Sequence, residues 1–323
     1  MSNNIPDLIY HYTSFDKLQS ILKCSTLRFK ESTQSNDILD TTRLINILQR
    51  LTYVSDNANT DIAKARDFLI NYFKQPTYNN QHTSMVSCFS TLPDSRLLWD
   101  AYTMNRPSNI TCKFGENKYC HESPAKYTGV CIAFKSDEIE KLIKSVENIS
   151  CEKAYFSPIL YGDDKIITEL NNWLEVTCNK IIKLSKDDDQ SQDIIPPINY
   201  LMFTRVLQVN LKKCVVFPTL EFIGTIEALS PLFKHAFWYE EREIRASLCF
   251  ATKNIGLYKN INDQSGAKYF DLPITSDCVD HIILGPEFND ESYEYINNQK
   301  DYKLSFSDFS TKLSIGTGVI RSN

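Results

Sequence analysis

Glycine is scarce, with nine residues in a chain of 323. Neither a Gly-x-Gly-x-x-Gly run nor a P-loop occurs, which excludes a phosphate cradle built from glycine. Any nucleotide must be held by side chains and strand-edge amides. No Cys-x-x-Cys pair exists. Most of the ten cysteines sit singly in apolar runs, such as those around Cys88, Cys131 and Cys249. A buried free cysteine there behaves as a small hydrophobe. The one mixed cluster, Cys112 with Cys120 and His121, fits no standard zinc spacing, so neither metal nor disulfide is expected. No nucleophile elbow and no Ser-His-Asp order is present. The net charge is −5 and no basic run is long enough to neutralise several phosphates. Tight nonspecific nucleic-acid binding is therefore not expected, which leaves a transient nucleic-acid substrate open. No apolar run reaches the roughly 18 residues of a membrane span. The first residues lack a secretory pattern, and a cytoplasmic location off the membrane is expected.

What is there is ordinary globular material, 42% apolar and 23% charged,. Aromatic and β-branched residues predict a strand at Leu8–Thr13, with Ser14 or Asp16 placed to cap a helix from Phe15 to Lys23. A second strand is read at Thr26–Phe29. Helical spacing covers 40–75, 136–147, 164–184 and 198–230, with a short helix at Leu97–Tyr102. Ser84–Thr91 alternates like a half-buried strand. Gly129–Phe134 is apolar throughout, as a strand buried on both faces would be. Later strands are read at Glu241–Phe250, Tyr269–Leu272 and His281–Pro286. Residues 104–127 read as a polar excursion and 185–197 as an acidic surface loop. Strands and helices in similar number without strict alternation predict an α+β fold, taken as a single domain over 1–323.

Two features carry chemistry. Read as a strand, Glu241, Glu243 and Arg245 share one face while Ile244, Ala246 and Leu248 share the other. Such charge suits an exposed edge strand with no function, because it deters aggregation. It equally suits an active site, with the guanidinium orienting carboxylates that stabilise a cation or accept a proton. His11 sits between two tyrosines, the place of either a satisfied core residue or a catalyst. Trp99 and Tyr102, one helical turn apart, are core partners or a surface for stacking a flat ring.

The ordered anchors are His11-Tyr12-Thr13, Asn36-Asp37, Cys88-Phe89-Ser90, Leu98-Trp99 through Tyr102, and Gly129 to Phe134. Phe233-Lys234-His235 then leads into Glu241-x-Glu243-x-Arg245, followed by Lys268 to Pro273 and Ile283 to Pro286. In that order they resemble the bacterial domain-of-unknown-function family 2971, from about Ile9 to Pro286. The opening Ile9–Phe29 is similar, more distantly, to DarT-like and RNA 2′-phosphotransferase-like proteins of the ADP-ribosyltransferase fold. That second resemblance implies a split β-sheet core with inserted and flanking helices, and NAD as substrate. It implies that His11 bonds a ribose hydroxyl, that the backbone of Tyr12 holds the nicotinamide carboxamide, and that Thr13 belongs to the same cofactor-binding segment. Ser87 and Ser90 would shape the cleft, and Tyr102, beside Trp99, would stack on nicotinamide. Glu243 would stabilise the oxocarbenium ion and Glu241 would orient the acceptor. Arg28 or Arg245 would meet the pyrophosphate, under a loop holding Asn36 and Asp37.

The expectation is an NAD-dependent ADP-ribosyltransferase acting as a toxin or antiviral effector on a protein or nucleic-acid acceptor, with an antitoxin or regulatory partner. Two alternatives stand beside it. One is a metal-dependent nuclease or phosphoesterase using Glu241, Glu243 and Asp37 as ligands. The other is a nucleotide-sensing module without catalysis.

Overall fold

The computed structural model describes residues 5–34, 42–51, 61–74, 82–103, 129–147, 151–187, 213–251, 261–264, 267–286, 288 and 290–314. The chain divides into two compact units, a division not drawn from the sequence. The first comprises Met1–Ile38, Thr83–Ile159 and Ala236–Asn323, and the second Leu39–His82 and Leu160–His235.

The first unit is a largely antiparallel sheet with helices. Its strands are β1 (Leu8–Thr13), β2 (Thr26–Glu31), β3 (His82–Ser90), β4 (Val130–Lys135) and β5 (Lys153–Pro158). Later in the chain come β8 (Glu243–Ala251), β9 (Ile261–Gln264), β10 (Ala267–Pro273), β11 (Val279–Leu284) and β12 (Ser310–Leu313). The order is β12-β11-β4-β1-β3-β2-β10-β9, with β8 paired to β3 and β5 to β8. Strand β4 is apolar because it lies inside the sheet, in register with β1 along Leu8–Thr13 and with β11 on its other side. Helix α1 (Phe15–Cys24) buries Phe15, Leu18, Ile21 and Leu22, the stripe that its periodicity predicts,. Ser14 makes no side-chain capping bond. The helix ends where Ser25 turns left-handed (φ 57°) and donates its N–H to the Ile21 carbonyl. The core joins that stripe to Leu27 and Phe29 of β2, Met85 and Phe89 of β3, and Ile244, Ala246, Leu248 and Phe250 of β8.

Strands β1 and β3 are in register at one pair only, Tyr10 with Ser90. Beyond it they diverge, and the candidate site lies at that seam. Helix α4 (Arg96–Tyr102) packs beside it through Leu98 and Trp99.

The second unit holds α2 (Arg43–Arg50), α3 (Asp61–Phe73), α6 (Asp163–Asp187) and α7 (Lys213–Leu229). It also holds the short parallel pair β6 (Leu160–Tyr161) and β7 (Phe233–Lys234). Leu44, Leu48, Leu69, Phe73, Ile166, Leu170, Leu174, Phe222 and Ile226 fill its interior.

Several expected elements change extent. The helical stretch 40–75 is two helices, α2 and α3, and helix 164–184 runs on to Asp187, into the expected acidic loop. The rest of that loop, the excursion at 104–127 and the start of the 198–230 helix lie outside the described residues. So do Asn36, Asp37, Cys112, Cys120 and His121. The remaining helices of the first unit are α5 (Ser136–Val146) and α8 (Asp290–Asn297). Among the described residues no helix is long and apolar enough to cross a membrane.

Candidate active site

A cleft of about 70 Å³ is lined by Tyr10, His11, Tyr12, Cys88, Phe89, Ser90, Leu98, Tyr102, Glu241 and Glu243. Four segments build it: the middle of β1, the end of β3, helix α4, and the entry to β8. All four belong to the first unit.

His11 bridges the seam. Its Nδ1 lies 2.9 Å from the Cys88 carbonyl. A carbonyl only accepts, so Nδ1 carries the hydrogen and Nε2 is left as the ring's acceptor. Burial lowers the imidazole pKa to about 4; the Cys88 bond opposes this, while the charges of Lys17 and Lys30 add to the lowering. His11 is therefore neutral at physiological pH.

The Tyr12 side chain holds the cleft wall. Its hydroxyl donates to the Leu92 carbonyl at 2.8 Å and accepts from the Ser95 N–H at 2.9 Å. That pins the loop that starts α4. Trp99 stands edge-on to Tyr12, with ring centroids 4.9 Å apart. Its indole N–H donates to Asp94 Oδ1 at 2.6 Å, and the same oxygen accepts from Ser314 Oγ at 2.7 Å. Trp99 is thus a core residue outside the cleft lining. Tyr102, three positions on, does face the cleft and donates its hydroxyl to Glu241 Oε1 at 3.0 Å. Burial and the neighbouring Glu241 and Glu243 push its pKa up, so it remains a phenol and a donor.

The acidic segment departs from the expected single strand. Residues Ala236–Glu241 form a 3₁₀ helix and β8 starts only at Glu243. Arg242 between them is left-handed, at φ 43°. Glu241 and Glu243 therefore reach the cleft through a backbone kink, not through the period of two. A non-glycine residue at positive φ is a strained choice that the surrounding structure must enforce. The Arg242 N–H is tied to the Tyr239 carbonyl at 3.0 Å, and its carbonyl accepts from the Thr91 N–H at 3.1 Å. Ser90 Oγ completes the fixation by donating to the Glu241 carbonyl at 2.7 Å.

Arg245 does not lie on an exposed edge. It is 2% exposed and forks onto Glu243, Nε to Oε1 at 2.7 Å and Nη2 to Oε2 at 2.9 Å. The expectation that it orients a carboxylate describes this contact. The expectation that it meets a pyrophosphate does not, because it is outside the cleft lining. Arg28 is likewise elsewhere. It sits half-exposed on β2, paired with Asp271 at 2.8 Å and over the Tyr269 ring at 3.7 Å. Ser87 is on the core side of β3, buried with no partner for its hydroxyl, and Thr13 is buried beyond the cleft. Cys88 and Tyr10, absent from the sequence candidates, line the cleft. Alternation along β1 and β3 did not single them out because the site opens where both faces of the seam are reachable.

Residues 98–246 match the family described as "Protein of unknown function (DUF2971)". Over that stretch the chain is similar to this family. The matched region contains Tyr102, Glu241, Glu243 and Arg245 and stops short of the anchors on β1, β3, β10 and β11. No curated protein and no solved structure matches the chain.

Proposed function

We propose that this cleft binds the nicotinamide-ribose end of NAD and transfers ADP-ribose to an acceptor. The observation that carries the reading is the meeting of His11 and Glu243 in one cleft. They come from the first strand and from β8, in different segments of the first unit, and each occupies a position where a plain core would use an apolar side chain.

The roles follow from the contacts. His11 presents a neutral Nε2 acceptor, suited to a ribose hydroxyl. Glu243, oriented by the Arg245 fork, lines the cleft with a carboxylate, the acceptor type suited to ribose hydroxyls,. It places negative charge where the oxocarbenium ion forms. Tyr102 offers its ring to nicotinamide while its hydroxyl fixes Glu241. The C1′–N bond breaks and nicotinamide leaves with the electron pair. The acceptor forms the new bond at C1′, and its proton passes to Glu241, which orients it. The toxin or antiviral role, the acceptor and any antitoxin partner belong to the same proposal. The Arg245 fork favours this reading over the metal-dependent one, since a dication held by Glu243 would sit beside a guanidinium.

The test is incubation with NAD, with and without divalent metal, and measurement of free nicotinamide. Metal-independent release supports the proposal. Folded Glu243→Gln should then lose about 10²–10³ in rate. Release by that variant at the wild-type rate, or metal-dependent phosphodiester cleavage without nicotinamide, would overturn it.

A further inference from the structure

Two non-glycine residues are at positive φ among the described residues, Ser25 and Arg242. Ser25 closes helix α1 in the left-handed turn common at helix ends,. Arg242, at φ 43°, has no such excuse. The ties at this position, from its N–H to the Tyr239 carbonyl and from the Thr91 N–H to its carbonyl, are made by backbone atoms alone. Glycine would keep both ties and adopt the kink without the clash of a Cβ. The fold therefore accounts for the kink and not for the arginine.

The position of the side chain does account for it. Arg242 lies between Glu241 and Glu243, which both line the cleft, so its Cα is about 3.8 Å from each of theirs,. Both of those carboxylates are already held, Glu241 by the Tyr102 hydroxyl and Glu243 by the Arg245 fork. Arg242 itself is exposed. Among the described residues its guanidinium makes neither a hydrogen bond nor an ion pair, even with the adjoining exposed Glu240. The two arginines expected to meet phosphate are both committed to carboxylates, Arg28 to Asp271 and Arg245 to Glu243. Arg242 is thus a planar fork of donors at the rim of the cleft, and that fork matches the oxygens of a phosphate.

We propose that Arg242 is the phosphate-binding residue of this cleft, gripping the diphosphate of a nucleotide whose ribose end enters toward His11 and Glu243. Backbone strain kept at a residue for the sake of its side chain is typical of a ligand clamp. The identity of that nucleotide as NAD rests on the transferase reading. The diphosphate subsite does not.

Inorganic pyrophosphate and ADP are the probes, measured by calorimetry on the full chain, with adenosine as the uncharged comparison. Arg242→Gly and Arg242→Asn both tolerate the kink. Each should weaken pyrophosphate binding about tenfold, the usual loss for one hydrogen bond to a charged group. At least one of them should melt no lower than the wild type, because the strain is relieved. Arg242→Lys keeps the charge without the fork and should bind with intermediate affinity. Lys141→Gln, on the exposed face of α5, should leave binding unchanged. Pyrophosphate failing to bind the wild type, or binding Arg242→Gly equally well, overturns the subsite. Lower melting of both Arg242→Gly and Arg242→Asn overturns it too, since the side chain would then serve the fold. Arginine-dependent pyrophosphate binding without nicotinamide release keeps the subsite and removes the transferase reading. Nicotinamide release with an unchanged KM for NAD in Arg242→Gly does the reverse.

Discussion

Tyr102 and Glu241, 139 positions apart, meet in a hydrogen bond of 3.0 Å that joins helix α4 to the segment entering β8. The bond orients the Glu241 carboxylate from across the cleft. Tyr102→Phe keeps the ring and removes the donor. It should destabilise the protein by about 1 kcal/mol, the usual net worth of one such bond. A urea unfolding curve measures that change. Nicotinamide release should fall less than transfer to an acceptor, because Glu241 serves the acceptor.

The Glu243–Arg245 pair sets a larger scale. Both side chains are at most 5% exposed. Removing one partner of a buried pair leaves an uncompensated charge and typically costs about 3–5 kcal/mol. Arg245→Met should fall in this range. Glu243→Gln should lose less, because the amide oxygen still accepts from the guanidinium. The double variant Glu243→Gln with Arg245→Met should recover part of the loss of Arg245→Met. Chemical denaturation of the three proteins gives the coupling directly, and a double-variant loss equal to the sum of the two single losses would show that the pair is not coupled.

His11 makes stability depend on pH in a defined window. Its folded value, about 4, lies below the ordinary 6.5. The unfolded chain therefore takes up a proton first as pH falls. The contribution of neutral His11 is fully present above about 6.5, is lost progressively down to about 4, and changes no further below. His11→Asn keeps a donor for the Cys88 carbonyl and cannot titrate. Its unfolding midpoint should fall less than that of the wild type between pH 6.5 and 4.

Asp94 ties three parts of the first unit together through Trp99 and Ser314. Asp94→Ala leaves the buried indole N–H without this acceptor, and a loss of about 1–3 kcal/mol follows. Ser314→Ala removes only a donor and should cost less. Loosening of α4 should also appear as a shift in tryptophan fluorescence in Asp94→Ala. An unchanged spectrum and midpoint would show that Trp99 is held by packing alone.

How much of this was legible in the sequence varies with the physics of each segment. Leu8–Thr13 was read at its exact limits because its residues are aromatic and β-branched and its neighbours on both sides end it. The apolar run at Val130–Phe134 announced an interior strand for the same reason. The pairing of His11 with Glu243 in one cleft came from the resemblance, since no local pattern encodes a contact so distant. The kink at Arg242 was illegible because arginine has no propensity for positive φ; the ties from Tyr239 and Thr91 impose it. Strand β5 escaped notice because its alternation ends in Ser157-Pro158, which reads as a turn, yet it is paired with β8 along its length. The free arginines that the sequence offered were, in the structure, already neutralised.

The single register pair between Tyr10 and Ser90 has a mechanical consequence. A full ladder resists opening because every residue's bond must break together. Here β1 is anchored along its whole length to β4 and is in register with β3 at one residue pair. Widening the seam therefore strains one backbone pairing, the His11–Cys88 bond and the packing of Phe89 on Phe134 in the shared core, while both flanking half-sheets keep their ladders. The aperture of the cleft can thus change as a soft coordinate within a stiff body. A ligand wedged between the two strands would work against a small local stiffness rather than against the stability of the fold.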